Sequence, residues 1–143
     1  MLVRPAEPAD RDSWLRMRNA LWLESAHEGE IDRYFAAEAR EPAAVLLAFD
    51  PVAIGFIELS IRPYAEGCET DRVAFVEGWY VDPDVRGTGA GAALIRAAEE
   101  WARSQGCTEI ASDTEVDNVS SAAAHVALGF EEAAVVRCFR KSL

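Results

Sequence analysis

The chain has 143 residues, half of them hydrophobic and 27% charged, with a formal net charge of −11. That is the size and composition of one folded domain with a real core, not of a disordered chain, and no apolar run approaches the roughly 20 residues needed to cross a bilayer. The acidity disfavours nucleic acid, whose binding is led by Lys and Arg, and favours a cationic ligand; solubility alone also accounts for it.

Residues 2–5 (LVRP) suit a short first strand. A helix follows from about Asp10 to Leu23, where Trp14, Leu15, Arg18, Leu21 and Trp22 recur at helical spacing and Asp10 or Asp12 is placed to cap it. Ile31 to Ala39 reads as a second helix, stopped by Pro42. AVLLAFD (44–50) and VAIGFIELSI (52–61) form a hairpin about Asp50-Pro51. After a polar loop, VAFVEGWYV (73–81) is a strand, and Gly89 to Ser104 is an amphipathic helix closed by Gly106. CTEIASDT (107–114) is a strand, Ser120 to Leu128 a short helix before Gly129, and Ala133 to Lys141 a last strand. A central hairpin within a mixed order means α+β, not a doubly wound sheet.

The three cysteines, Cys68, Cys107 and Cys138, lie far apart with no CxxC pair. An odd count argues against a disulfide framework and fits unpaired thiols in a reducing compartment. With two histidines and no clustered ligands, no metal site is expected. MLVRPAEPADRD has no apolar stretch of signal-peptide type, so the expected location is the cytoplasm.

Two features of residues 76–91, VEGWYVDPDVRGTGAG, call for chemistry. The first is Glu77 inside an apolar strand. Alternation puts Phe75, Glu77, Trp79 and Val81 on one face. A carboxylate among them is costly to desolvate without water, a cation or a partner, and an ion pair with an arginine would also satisfy it. The second is Arg86-Gly87-Thr88-Gly89-Ala90-Gly91, which joins that strand to a helix. Glycines let backbone approach a ligand closely, and free N–H groups at a helix start seat phosphate. No Gly-Lys-Ser/Thr follows, so this is not a Walker loop, and Ala92 stands where a dinucleotide fingerprint needs glycine.

Arg-x-x-Gly-x-Gly after Val-Asp-Pro resembles the pyrophosphate loop of the GNAT superfamily of N-acetyltransferases, with Arg86, Gly89 and Gly91 in its three positions. Asn118, small residues and Leu128-Gly129-Phe130 resemble its downstream segment, and the element order fits over nearly the whole chain. The resemblance implies a mixed, mostly antiparallel sheet flanked by helices and splayed between the strands at 73–81 and 107–114, with acetyl-CoA in the splay. Backbone groups of Trp79, Tyr80 and Val81 would hold the pantetheine arm, and one amide would polarise the thioester carbonyl. The stretch Arg86, Gly87, Thr88, Gly89, Ala90, Gly91 and Ala92 would hold the pyrophosphate, and Asn118 would touch pantetheine.

NALW (19–22), SIRPYAEGC (60–68), FVEGWYV (75–81), ASDTEVDN (111–118) and HVALGFEE (125–132) together look like the aminoglycoside 6′-N-acetyltransferase branch. By that resemblance Trp22, Tyr64, Glu77 and Asp113 line the site of a polycationic amine, with Glu77 the favoured base. Trp22 as core, Tyr64 as loop packing and Asp113 as a helix cap are the structural alternatives. His125 stands where many of these enzymes carry a tyrosine acid; it is either a proton donor or a packed helix residue. Relatives also imply a homodimer, with the final strands as its interface. Another amine acceptor, or a CoA-binding module without catalysis, are the competing functions.

Overall fold

The computed structural model describes residues 1–23 and 26–143. In chain order it has β1 (Leu2–Pro5), α1 (Arg11–Leu21), α2 (His27–Phe35), β2 (Ala44–Phe49), β3 (Ala53–Arg62), β4 (Val73–Val81), α3 (Ala90–Ser104), β5 (Ile110–Ser112) and α4 (Val119–Ala127). The strands lie in one sheet in sequence order, β1 to β4 antiparallel and β5 parallel to β4. This is the mixed, mostly antiparallel sheet flanked by helices that the sequence led us to expect.

Both faces of the sheet are covered, which is why β2 reads as a continuous apolar run rather than an alternating one. On one face Leu46, Ala48, Ile57, Leu59 and Val76 pack against Leu94, Ile95 and Ala98 of α3. On the other, Val45, Leu47, Phe56 and Tyr80 pack against Trp14 and Met17 of α1 and Ile31 of α2. Trp14 meets Tyr34 and Phe35 edge-on, with ring centroids 5.3 and 5.6 Å apart.

Three expectations change. The second helix begins four residues earlier than Ile31 and ends at Phe35, because Ala37 adopts φ +58° and Glu38 N–H closes back on the Arg33 carbonyl at 3.0 Å. That is the geometry glycine normally supplies at a helix end, here adopted by alanine. Asp10 stands at the start of α1 but its carboxylate turns away from the helix. It accepts the Glu7 amide at 2.8 Å and pairs with Arg4 at 2.7 and 3.0 Å. The last strand, 133–141, does not form: residues 130–143 carry no ladder, and Val135, Val136 and Phe139 are exposed. A strand exists only where a neighbour completes its hydrogen bonds, and among the described residues no strand pairs with this segment. Among the described residues, no helix is long and apolar enough to cross a membrane.

Candidate active site

The ladder between β3 and β4 shifts register at one place: Glu58 faces Gly78, but Leu59 faces Val76. Glu77 is the extra residue, so it is the bulge. A bulge re-aims side chains and resets the alternation that follows it. Val76 and Trp79, three apart, therefore both pack on the α3 face. Glu77 does not share a face with Trp79 and Val81, as simple alternation required; it turns to the α1–α2 face with Phe75.

On that face β3 presents a row of polar side chains, Glu58, Ser60 and Arg62, at the period-two spacing of one strand face. Ser60 Oγ–H donates to Glu77 Oε1 at 2.5 Å. Arg62 donates from Nε to Oε1 at 3.0 Å and from Nη2 to Oε2 at 2.8 Å, a bidentate pair. The arginine partner that the sequence left open is thus Arg62. Deeper in, Glu58 is 2% exposed and accepts Arg18 Nε–H at 2.8 Å, Arg18 Nη2–H at 3.2 Å and Trp14 Nε1–H at 3.1 Å. Burial pushes its carboxyl up from the ordinary value, against the opposing pull of Arg18. Arg18 also pairs with Glu30 and touches His27 Nδ1 at 3.3 Å. A guanidinium only donates, so Nδ1 accepts and His27 Nε2–H donates to the Trp22 carbonyl at 3.2 Å.

Trp22, just past the end of α1, is fixed by these neighbours. It stacks on His27 at 6.2 Å, lies under the Arg18 guanidinium at 5.0 Å and meets Phe56 at 6.3 Å. Gly78 leaves it room. Trp22 and Glu77 line one cavity of about 490 Å³ whose charged wall is Glu30, Glu41, Glu58 and Glu77 against Arg18 and Arg33, a balance of −2. Such a hollow suits a cationic ligand with a flat or ring-shaped body.

The other two expected acceptor-site residues stand apart. Asp113 follows β5 directly and acts on Arg62 through its charge; it caps nothing, since Asn118 caps α4 by accepting Ser121 N–H at 3.1 Å. Tyr64 is exposed and donates its hydroxyl to Glu66 at 3.2 Å, outside the cavity wall.

The splay lies on the other side of β4. β5 pairs with β4 only from Ala74↔Ile110 to Val76↔Ser112, so the strand expected at 107–114 contracts to three paired residues. Among the described residues, the β5 side of β4 has no strand partner from Glu77 to Val81. Gly87 and Gly89 have φ +81° and +97°, with nothing within 4 Å of where a Cβ would stand. The first-turn amides of Ala90, Gly91 and Ala92 have no partner within the helix. Gly91 is glycine for packing instead: a Cβ there would stand 3.2 Å from Trp79 Cζ2. Arg86 spends its Nε–H on the Val81 carbonyl at 3.0 Å, and Thr88 donates to the Val85 carbonyl at 2.6 Å, which folds the loop upon itself. Open amides at a helix start fit a pyrophosphate.

His125 of α4 bridges the splay. Its Nδ1 lies 2.7 Å from the Ser121 carbonyl, which only accepts, so Nδ1 carries the hydrogen. Nε2 then accepts Ser112 Oγ–H at 2.8 Å, and the ring packs edge-on against Trp79 and Phe130, each at 5.2 Å. Both nitrogens are hydrogen-bonded, and the ring docks α4 on β4 and β5.

An anion-walled cavity on one face of a bulged strand, with a splay along its β5 edge and a glycine loop at its end, defines an acyl transferase frame. The Acetyltransferase (GNAT) family matches over residues 11–130, and the chain belongs to that family. It is 54% identical over 147 aligned residues to the aminoglycoside N(6′)-acetyltransferase type 1 of Klebsiella aerogenes, covering 99% of this chain and 97% of that protein. The protein of the same name from Stenotrophomonas maltophilia is 40% identical, covering 99% and 93%. The apo structure of the aminoglycoside 6′-N-acetyltransferase AAC(6′)-IG from Acinetobacter haemolyticus is similar with TM-score 0.88 and 42% identity, over 100% of this chain and 99% of that one. AAC(6′)-Iy in complex with the bisubstrate analogue CoA-S-monomethyl-acetylneamine gives TM-score 0.89 at 34% identity, over 99% and 98%.

Proposed function

We infer that this chain is an aminoglycoside 6′-N-acetyltransferase: it moves the acetyl group of acetyl-CoA to the 6′-amine of an aminoglycoside and so confers resistance. One observation carries the reading. Glu77 stands at a bulge with an acidic cavity walled in part by Trp22 on its own face, at the point where β4 parts from β5. The 54% identity to a protein of that name over almost the full length supports the choice of acceptor.

Acetyl-CoA would lie along β4 on the backbones of Trp79, Tyr80 and Val81, with its pyrophosphate on the loop from Arg86 to Ala92 and Asn118 beside the pantetheine. The acceptor's ammonium groups would meet Glu77 and Asp113, with Trp22 and Tyr64 against its sugar rings. The amine nitrogen then attacks the thioester carbonyl directly, and the carbon–sulfur bond breaks as the amide forms. Glu77, directly or through water, takes the proton the amine sheds, and the CoA thiolate leaves and is protonated. Among the described residues no cysteine stands beside a histidine to carry the acetyl group, which favours a single ternary complex. The homodimer uses the unpaired segment 133–141, whose Val135, Val136 and Phe139 are exposed in the single chain; sedimentation as a monomer at assay concentration would remove that part. The acceptor is a small cation, not a nucleic acid or a membrane, and the three free thiols fit a cytoplasmic location.

The test is CoA release from acetyl-CoA with kanamycin, tobramycin, spermidine and a peptide N-terminus offered in turn. Rapid release with the two aminoglycosides alone is the expected result. Release with spermidine or the peptide at equal rate would keep the family and overturn the acceptor.

A further inference from the structure

Arg62 was not among the residues the sequence marked, yet it makes the most specific contact with Glu77. A carboxylate has about four acceptor positions. On Glu77, Oε1 takes Ser60 Oγ–H at 2.5 Å and Arg62 Nε–H at 3.0 Å, and Oε2 takes Arg62 Nη2–H at 2.8 Å. One position remains, on Oε2, in a residue that lines the cavity. Arg62 is itself held, because its guanidinium lies 3.6 Å from the centroid of the Phe75 ring. Phe75 is the ladder partner of Ser60, and Arg62 pairs with Val73 two residues before it. Ladder, ring and fork together leave Glu77 one orientation, at the one place in β4 where the backbone does not fix it.

We propose that Arg62 is a positioning residue for acetyl transfer, which holds the Glu77 carboxylate in one orientation and leaves a single acceptor site open for the substrate's amine. This rests on the reading of Glu77 as the carboxylate that meets that amine. Arg62 keeps its bidentate pair throughout and does not have to leave when substrate binds. A lysine replaces it only in part, since a point charge lacks the planar fork that fixes both oxygens.

The experiment is steady-state kinetics of Arg62→Met, Arg62→Lys and Arg62→Ala beside Glu77→Gln, with aminoglycoside and acetyl-CoA varied separately and folding followed by circular dichroism. In Arg62→Met, kcat should fall about 100-fold, the loss that a small misplacement of a reacting group produces, with the acetyl-CoA KM unchanged. Arg62→Lys should recover only part of kcat. Added guanidinium at millimolar concentration should restore turnover to Arg62→Ala and leave wild type unaffected, which a purely structural role would not allow. Wild-type kcat in Arg62→Met with a lower aminoglycoside KM would make Arg62 a mere competitor for the carboxylate and overturn the proposal. If Arg62→Met does not fold, full kcat in Arg62→Lys overturns it equally. Should Glu77→Gln turn over normally, the reading of Glu77 falls and this proposal with it; an inactive Glu77→Gln beside a fully active Arg62→Met sinks the proposal alone.

Discussion

Trp22 occupies the space that a side chain on Gly78 would need: a Cβ on Gly78 would stand 2.6 Å from Trp22 Cη2 and 2.7 Å from Cζ2. The indole cannot yield freely, because Arg18, His27 and Phe56 hold its other faces. Overpacking of this kind costs about 1–3 kcal/mol. Gly78→Ala should therefore raise the aminoglycoside KM about tenfold, equivalent to about 1.4 kcal/mol, with the acetyl-CoA KM unchanged. An unchanged aminoglycoside KM would show that Trp22 is not part of the acceptor's wall.

Gly89 tests the cofactor side. Its φ of +97° is strained for any β-branched residue, and the space beside it is open. Gly89→Val should abolish acetyl-CoA binding in titration calorimetry while the fold survives by circular dichroism. Equal affinity in wild type and variant would mean that this loop does not hold the pyrophosphate.

His125 separates docking from acid catalysis. With Nδ1–H on the Ser121 carbonyl and Nε2 bonded to Ser112, removing the ring takes away contacts that hold α4. His125→Ala should raise the acetyl-CoA KM severalfold and leave kcat at saturation nearly unchanged. A kcat loss of about 100-fold or more, the scale of a lost general acid, would return His125 to the chemistry.

Asp10 gives the fold a pH dependence. The Arg4 hydrogen bonds, aided by the Glu7 amide, hold its carboxyl below the usual range although burial opposes them. A carboxyl lowered in the folded state binds fewer protons there than in the unfolded chain. Its stabilisation is therefore present above the unfolded value, near pH 4, and is lost as pH falls through the lower folded value. Urea melts should show Asp10→Asn less stable than wild type at pH 7, with the difference shrinking as the solution is acidified from about pH 4. A difference constant with pH would assign the effect to packing.

The sequence carried much of the site because its local signals are short-range. β4 came out at Val73–Val81 as read, and α3 within one residue, because alternation, glycine placement and helical spacing are properties of neighbouring residues. The glycine loop was legible for the same reason: Gly87 and Gly89 do adopt positive φ. Ala37 hid the end of α2, since nothing in an alanine announces a left-handed turn.

What the sequence by itself determined is the order of elements as far as α4, the apolar faces of the helices and the residue types available to the site. Tertiary structure alone decided how those residues face. The bulge at Glu77 exists only as a mismatch of register with β3, and it moved Glu77 to the face opposite Trp79. The groups that then fix it, Ser60 and Arg62, lie 17 and 15 residues away, and Arg18 meets Glu58 across 40. Periodicity describes a strand's own alternation, whereas register and ion pairing are set by a partner strand or helix, so no window along one segment contains them.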